Sequence, residues 1–252
     1  MNTFPWKITL SILALLLNWS VSAQNATEIV EKSEEVRRGV QSAYAEMTMQ
    51  IIRPDWSRKM SLKSWSKGDD YALILVTAPA RDQGTANLKR KKEVWSWVPR
   101  IERTIKLPPS MMSQSWMGSD FKNEDLINEN SIVEDYTHKI LRTETIQDRP
   151  SWVIELIPRE DAAVIWGKVL MWVDKKDYLQ LKVEFYDEEM ELVNTMIASD
   201  IKIMDDRLFA TRLEMIPADE EGYKTVMIYN ELEFDNNISE SFFTLQNMKN
   251  VR

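Results

Sequence analysis

Apolar residues recur at every second position through much of this chain, and no other feature limits its fold as strongly. Ala45, Met47, Met49 and Ile51 alternate with Glu46, Thr48 and Gln50. Leu179, Leu181, Val183 and Phe185 alternate with Gln180, Lys182, Glu184 and Tyr186, and Phe209, Thr211, Leu213 and Met215 with Ala210, Arg212 and Glu214. Successive side chains of a strand point to opposite faces, so this period predicts strands with one covered face and one wet face. Turn signals punctuate the chain at short intervals, among them Pro54, Lys67-Gly68-Asp69, Pro150, Gly167, Asp205-Asp206 and Glu221-Gly222. Many strands at that spacing predict a mainly β protein: a sandwich, a barrel or a strongly curved antiparallel sheet.

Helical signals are few. Asn25 stands three residues before Glu28, and Ile29, Val36 and Val40 follow at helical spacing, which predicts one amphipathic helix from about Thr27 to Arg38 with Gly39 near its end. Ser110–Trp116, Asn123–Asn128 and Ser239–Met248 read as shorter helical pieces. So little helix cannot cover one large apolar sheet face tightly, and something else is expected to fill the gap.

The first residues read as an export signal. Lys7 precedes the apolar run Ile8–Leu17, and Val21-Ser22-Ala23 has the small residues of a cleavage site. We expect residues 1–23 to be removed and 24–252 to form a single exported, soluble domain, an uncleaved anchor being the alternative. The run is short for a membrane span. The sequence contains no cysteine, which excludes disulfides and cysteine nucleophiles.

Charge excludes one class of partner. The 40 acidic residues outnumber 32 basic ones, whereas nucleic-acid binding requires clustered Lys and Arg. One window does run the other way: Arg81, Lys89, Arg90, Lys91, Lys92, Arg100, Arg103 and Lys106 face only Asp82, Glu93 and Glu102. Lys89, Arg90, Lys91, Lys92, Arg100 and Arg103 are therefore candidates for contact with lipid head groups, a membrane surface or an acidic partner. A solvated hairpin rim is the plainer alternative.

Catalytic signals are weak. His138 is the one histidine and sits in a segment that reads as a strand. No Gly-x-Ser-x-Gly elbow and no glycine-rich phosphate loop occurs. Asp120, Asn123, Glu124 and Asp125 offer oxygen ligands for calcium but lack the EF-hand pattern. We expect no catalytic residue, no metal and no cofactor.

What stands out is apolar and soft. Met111, Met112, Trp116, Met117 and Phe121 lie among Ser, Gln and Gly just after Pro108-Pro109, where a surface loop would be polar. Trp95 and Trp97, two apart, share one strand face, while Trp65, Trp152, Trp166 and Trp172 fall on other predicted strands. Methionine is flexible and polarizable and suits surfaces that accept ligands of varied shape. Each methylene hidden from water is worth roughly 0.8 kcal/mol, so an acyl chain of about fifteen resists crossing water by about 12 kcal/mol. A carrier must match that cover and still release its cargo. Ordinary core packing is the alternative for any single Met or Trp.

The stretch Glu93–Leu126, "EVWSWVPRIERTIKLPPSMMSQSWMGSDFKNEDL", resembles the signature block of bacterial outer membrane lipoprotein-sorting proteins, which are similar in fold to the lipoprotein carrier LolA and its receptor LolB. "VEFYDEEMELVNTM", as a hairpin, and the ending "ISESFFTLQNM" extend the resemblance more loosely. The resemblance implies an incomplete β-barrel or strongly curved antiparallel sheet with a few helices as a lid over an apolar cavity. It further implies a periplasmic protein that binds lipid or lipoprotein acyl chains non-covalently, next to an inner-membrane exporter of the resistance–nodulation–division type. On this reading Met47, Met49, Trp65, Leu73, Leu75, Trp95 and Trp97 line the cavity, and Met111, Met112, Trp116, Met117 and Phe121 form its gate. A periplasmic adaptor or sensor docked to the exporter is the first rival, and a lipid-acting hydrolase the second.

Overall fold

The computed structural model describes residues 25–38, 40–127, 132–162 and 164–252. The expected signal segment 1–23, Gly39 and Asn128 lie outside them. The described chain opens with helix α1 (Ala26–Arg38), followed by β1 (Ser42–Ile52), β2 (Ser57–Lys67), β3 (Tyr71–Ala78), β4 (Ala86–Arg90), β5 (Glu93–Val98) and β6 (Arg103–Lys106). After α2 (Asn123–Ile127) come β7 (Tyr136–Ile146), β8 (Arg149–Pro158), β9 (Lys168–Asp174), β10 (Gln180–Tyr186), β11 (Leu192–Met204), β12 (Arg207–Pro217) and β13 (Lys224–Phe234). Helix α3 (Leu245–Asn250) follows.

Among the described residues the thirteen strands form one sheet in the order β6-β5-β4-β3-β2-β1-β13-β12-β11-β10-β9-β8-β7. Every neighbouring pair but one is a sequential antiparallel connection. The exception, β1 against β13, joins the two ends of the strand series at the centre of the sheet, with Ala43 opposite Phe234 and Ile52 opposite Lys224.

This architecture corrects the expected incomplete barrel or strongly curved sheet. The sheet is open and not strongly curved: β6 and β7 are its two edges and do not pair. Closure needs the first and last strands to share a ladder. Here β6 is only four residues long and is followed by the irregular segment that carries the turn Pro109–Met111 and α2. Nor do the helices make a single lid. Helix α1 packs on β7 and β9, whereas α3 packs on β4 and β5.

The helices form for local reasons. Asn25 Oδ1 accepts from the Thr27 amide at 3.2 Å, an acid (Glu28) lies in the first turn and two arginines lie in the last, as the helix dipole favours. Ala26, Ile29, Val30 and Ser33 are its buried positions, one stripe at helical spacing. Helix α3 is capped by Thr244, whose hydroxyl accepts from the Asn247 amide at 3.0 Å. Of the shorter pieces expected, Ser110–Trp116 contains only a 3-10 turn at Pro109–Met111, and Ser239–Met248 divides into a 3-10 turn at Glu240–Phe242 and α3. Trp166, expected on a strand, precedes β9.

The two faces of the sheet hold separate cores. One face, called here the inner face, carries Met47, Met49, Ile51, Met60, Leu62, Ile74, Met215 and Met227, joined by Trp116 and Phe121. It continues under α1, where Ile29 and Val30 meet Ile154, Leu156, Val169 and Met171. The outer face gathers Tyr71, Leu73, Leu75, Ala86 and Leu88 beneath Phe243 and Met248. Strand β3 therefore buries both of its faces.

Candidate functional site

The inner face holds a cavity of about 440 Å³ bounded by the sheet, α1 and the segment running from Trp116 to Asp125. Five methionines line it: Met47, Met171, Met196, Met215 and Met227. Aromatic and aliphatic side chains such as Phe185, Leu62 and Ile74 complete an apolar floor. Its charged groups fall in two places, while Ser64, Ser66, Tyr71, Tyr136 and Tyr229 add uncharged polar positions to the lining. Ser33, Arg37, Arg38, Asp69 and Gln180 stand where α1 ends above the β2–β3 turn, with Lys89 opposite Ala72 just after that turn, and Glu124 and Asp125 stand in α2.

The expected gate residues are held by specific bonds. Met112, Trp116 and Phe121 are buried, while Met111 and Met117 are partly covered. Met112 packs on Val94 and Leu107, away from the cavity floor. The Trp116 amide donates to the Phe121 carbonyl at 2.8 Å, which closes a tight loop, and the indole Nε1 donates to Asn87 Oδ1 at 3.2 Å. Arg53 pairs with Asp120 at 2.9 Å and also donates to the Gly118 carbonyl, while Arg58 donates to the Met117 carbonyl. Asp120 is thereby committed to an ion pair, and among the described residues no group of three or more His, Cys, Asp or Glu is placed to hold a metal ion.

Electrostatics differ between the two polar places. At the end of α1, burial opposes a charged Glu34, but Arg37, Arg38 and the hydrogen bonds from Arg37 and Gln180 outweigh it and hold its carboxyl below the usual range. Burial pushes the Arg38 guanidinium down to about 9, with the neighbouring Arg37 adding to the effect and Glu34 opposing it. Beside the gate, burial raises the Asp125 carboxyl even though it accepts from the Lys122 amide. Burial likewise lowers Lys122, whose ammonium sits 3.9 Å from the centre of the Trp166 ring.

His138 is a structural residue in this arrangement. Its Nε2 lies 2.7 Å from the Ile132 carbonyl and its Nδ1 3.1 Å from the Thr27 hydroxyl. A carbonyl only accepts, so Nε2 carries the proton and Nδ1 accepts from Thr27, tying α1 to β7. Burial keeps the imidazole below its ordinary value.

The expected cavity residues divide between the faces. Met47 lines the cavity, and Met49 lies on the same face in the core beneath it. Trp65, Leu73, Leu75, Trp95 and Trp97 lie on the opposite face with Phe243 and Met248. The reason is register. Tyr44 pairs with Trp65, Trp65 with Leu73, Leu73 with Leu88 and Leu88 with Trp95, a row on the face that Met47 leaves. A broader hollow of about 740 Å³ opens on that side between Tyr44, Trp65 and Phe242. Its polar rim is already occupied: Asn236 bonds Ser42 and Glu233, and Ser239 bonds Ser241.

The basic window is divided as well. Lys89 points into the inner cavity and is 6 % exposed. Arg90, Lys91 and Lys92 are exposed at the β4–β5 turn, whereas Arg100 and Arg103 are exposed at the β5–β6 turn. Six residues of strand separate the two turns, about 20 Å of extended chain. Sequence reasoning also missed the cluster of Ser33, Arg37 and Arg38, whose only local sign is polarity on the helix stripe that carries Ile29.

Three solved structures share this arrangement over nearly their whole length. A DUF1329 family protein from Desulfovibrio piger is 24 % identical, covers 88 % of this chain and 97 % of its own, and superposes with a TM-score of 0.81. A domain named as an outer membrane lipoprotein-sorting protein, from Vibrio parahaemolyticus, is 27 % identical over 89 % of this chain and 98 % of its own, with a TM-score of 0.78. A LolA superfamily protein from Nitrosomonas europaea is 27 % identical over 89 % of this chain and 99 % of its own, with a TM-score of 0.75. The protein is thus a structural homologue of the LolA and lipoprotein-sorting superfamily. Residues 68–250 match the model of a family described as "Uncharacterized protein", and the chain belongs to that family. No curated protein matches it.

Proposed function

We propose that this protein is a periplasmic, non-catalytic carrier that takes a hydrophobic ligand into the inner-face cavity and hands it between membranes. The observation that carries the reading is the methionine lining. Five flexible, polarizable side chains around a cavity of about 440 Å³ suit a ligand whose shape varies, such as an acyl chain. The fold relationship to a lipoprotein-sorting domain and to a LolA superfamily protein supports the same direction. Fold alone does not fix function. In this reading the Trp116–Phe121 loop is the movable cover, and release follows when Arg53 and Arg58 let it go.

The test is native mass spectrometry with solvent extraction on the exported chain purified from a bacterial periplasm without detergent. Stoichiometric lipid or acylated peptide on the wild type, reduced in a folded Met47→Glu variant, is the expected result. A clean apo mass, with no uptake of added lipid, would sink the carrier reading and favour an adaptor that binds another protein.

A further inference from the structure

The polar end of the cavity at α1 narrows the ligand class, on the reading that the cavity takes a hydrophobic ligand. Ser33 is 1 % exposed on the buried stripe of α1 and lines the cavity, yet its hydroxyl has no hydrogen-bond partner. A buried hydroxyl in that state is unfavourable unless something else engages it.

The two arginines that follow are not equivalent. Arg37 grips Glu34 through Nε and Nη2 at 2.7 to 3.1 Å, and Gln180 donates to the same carboxylate at 2.6 Å. Glu34 is therefore well supplied. Arg38 lies 3.4 Å from Glu34 through an Nε that forms no hydrogen bond, and 3.9 Å from Asp69, whose side chain is 82 % exposed. Its planar fork of donors thus faces the cavity largely unspent, and such a fork matches the oxygens of a carboxylate or phosphate. Of the remaining charges, Asp125 accepts from the Lys122 amide, and Lys89, opposite Ala72 of β3, and Glu124 of α2 are each engaged by other groups.

We propose that the ligand is a single-chain anionic amphiphile, its carboxylate or phosphate held by Arg38 and Ser33 and its chain lying along the methionines. The volume of about 440 Å³ sits near the lower end of the roughly 300–1,000 Å³ typical of small-ligand pockets, which is room for one chain and not several. An anionic head group beside Arg38 also offsets the cost of burying its guanidinium.

The experiment uses the exported chain, stripped of lipid, titrated with hexadecanoate, hexadecyl phosphate and hexadecanol by displacement of Nile red. Wild type should bind one or both anions about tenfold more tightly than the alcohol, as expected for a charge-assisted contact. Arg38→Gln should erase that preference while leaving hexadecanol unchanged, and Arg38→Lys should retain part of it. The tighter of the two anions identifies the head group as carboxylate or phosphate. Hexadecanol binding as tightly as the anions in wild type, a measurement independent of how any variant folds, overturns the inference and leaves the carrier reading standing. A preference that survives in folded Arg38→Gln overturns it too. Failure to bind any of the three chains sinks the carrier reading with it.

Discussion

Arg53, just beyond β1, holds Asp120 in the Trp116–Phe121 loop: Nη2 lies 2.9 Å from Oδ1 and Nη1 3.0 Å from Oδ2, with the side chains 10 % and 6 % exposed. The Thr225 hydroxyl of β13 donates to the same carboxylate at 2.6 Å. Both central strands are thereby joined to a segment that otherwise lacks regular structure. Removing one partner leaves the other charge buried and unpaired, so Asp120→Ala should cost about 3–5 kcal/mol. Replacing both residues by leucine should cost less than the two single losses combined. Urea unfolding measures this, and a single-variant loss below about 1 kcal/mol would place the pair in the class of exposed ion pairs.

Trp116 is 2 % exposed and ties its loop to Asn87 of β4. Trp116→Ala should lower stability by about 3–5 kcal/mol, the usual loss for a large buried aromatic. If the loop is the cover, the same variant should also take up Nile red faster than wild type. Unchanged uptake kinetics in a folded variant would place the entrance elsewhere.

His138 makes stability depend on pH near neutrality. Its folded value lies below the ordinary 6.5, so the unfolded chain binds the proton more readily. Stability is then complete above that value and declines as pH falls through the folded one. As His138 is the single histidine, one imidazole titration by NMR reads its value directly, and a midpoint above 6.5 would contradict the bond from Thr27. A second decline, below 4.5, is shared by Glu34 with Glu46, Glu144 and Glu214, all held low in the fold, and should be smaller in Glu34→Gln.

The two faces of the sheet should respond differently to substitution. Met47→Glu places a charge in the cavity and should abolish acyl-chain uptake. Trp65→Ala, on the outer face against Tyr44 and Phe242 at 5.5 Å, should lower stability and leave uptake unchanged. Binding titrations on both variants decide it, and the reverse outcome would move the ligand to the outer hollow.

Gly167 stands where no side chain fits: a Cβ there would lie 2.3 Å from the Asp187 carbonyl oxygen. Its amide donates to the Tyr186 carbonyl at 3.0 Å, so the backbone cannot simply move aside. Gly167→Ala should cost about 1–3 kcal/mol in thermal or urea unfolding, the range for overpacking.

Much of this fold was legible residue by residue. Asn25 and the spacing from Ile29 mark α1, the alternation around Met47 marks β1 and its buried face, and Asp205-Asp206 marks the turn between β11 and β12. These signals are local, because helix and strand periods are properties of the backbone within a few residues. The softness of the segment around Met112 and Trp116 was visible for the same reason.

Parity between strands was not. In β3 Leu73, Ile74, Leu75 and Val76 are all buried, so no alternation announces which face each residue serves. Trp65 and Trp97 consequently grouped with Met47 although the register sets them opposite. The pairing of Arg53 with Asp120, and the unspent fork of Arg38 above the cavity, join segments far apart in the chain and leave no local trace.

The sequence by itself determined a β-rich protein with one capped amphipathic helix, a methionine-rich segment after Pro108-Pro109 and no cysteine chemistry, because composition and period act at short range. Tertiary structure alone decided that the sheet stays open, with β6 and β7 as unpaired edges, that α1 and α3 cover opposite faces, and that one face holds the cavity. Those outcomes depend on which distant strands share a ladder, and the register of a ladder is set by turn geometry and burial summed over the whole sheet.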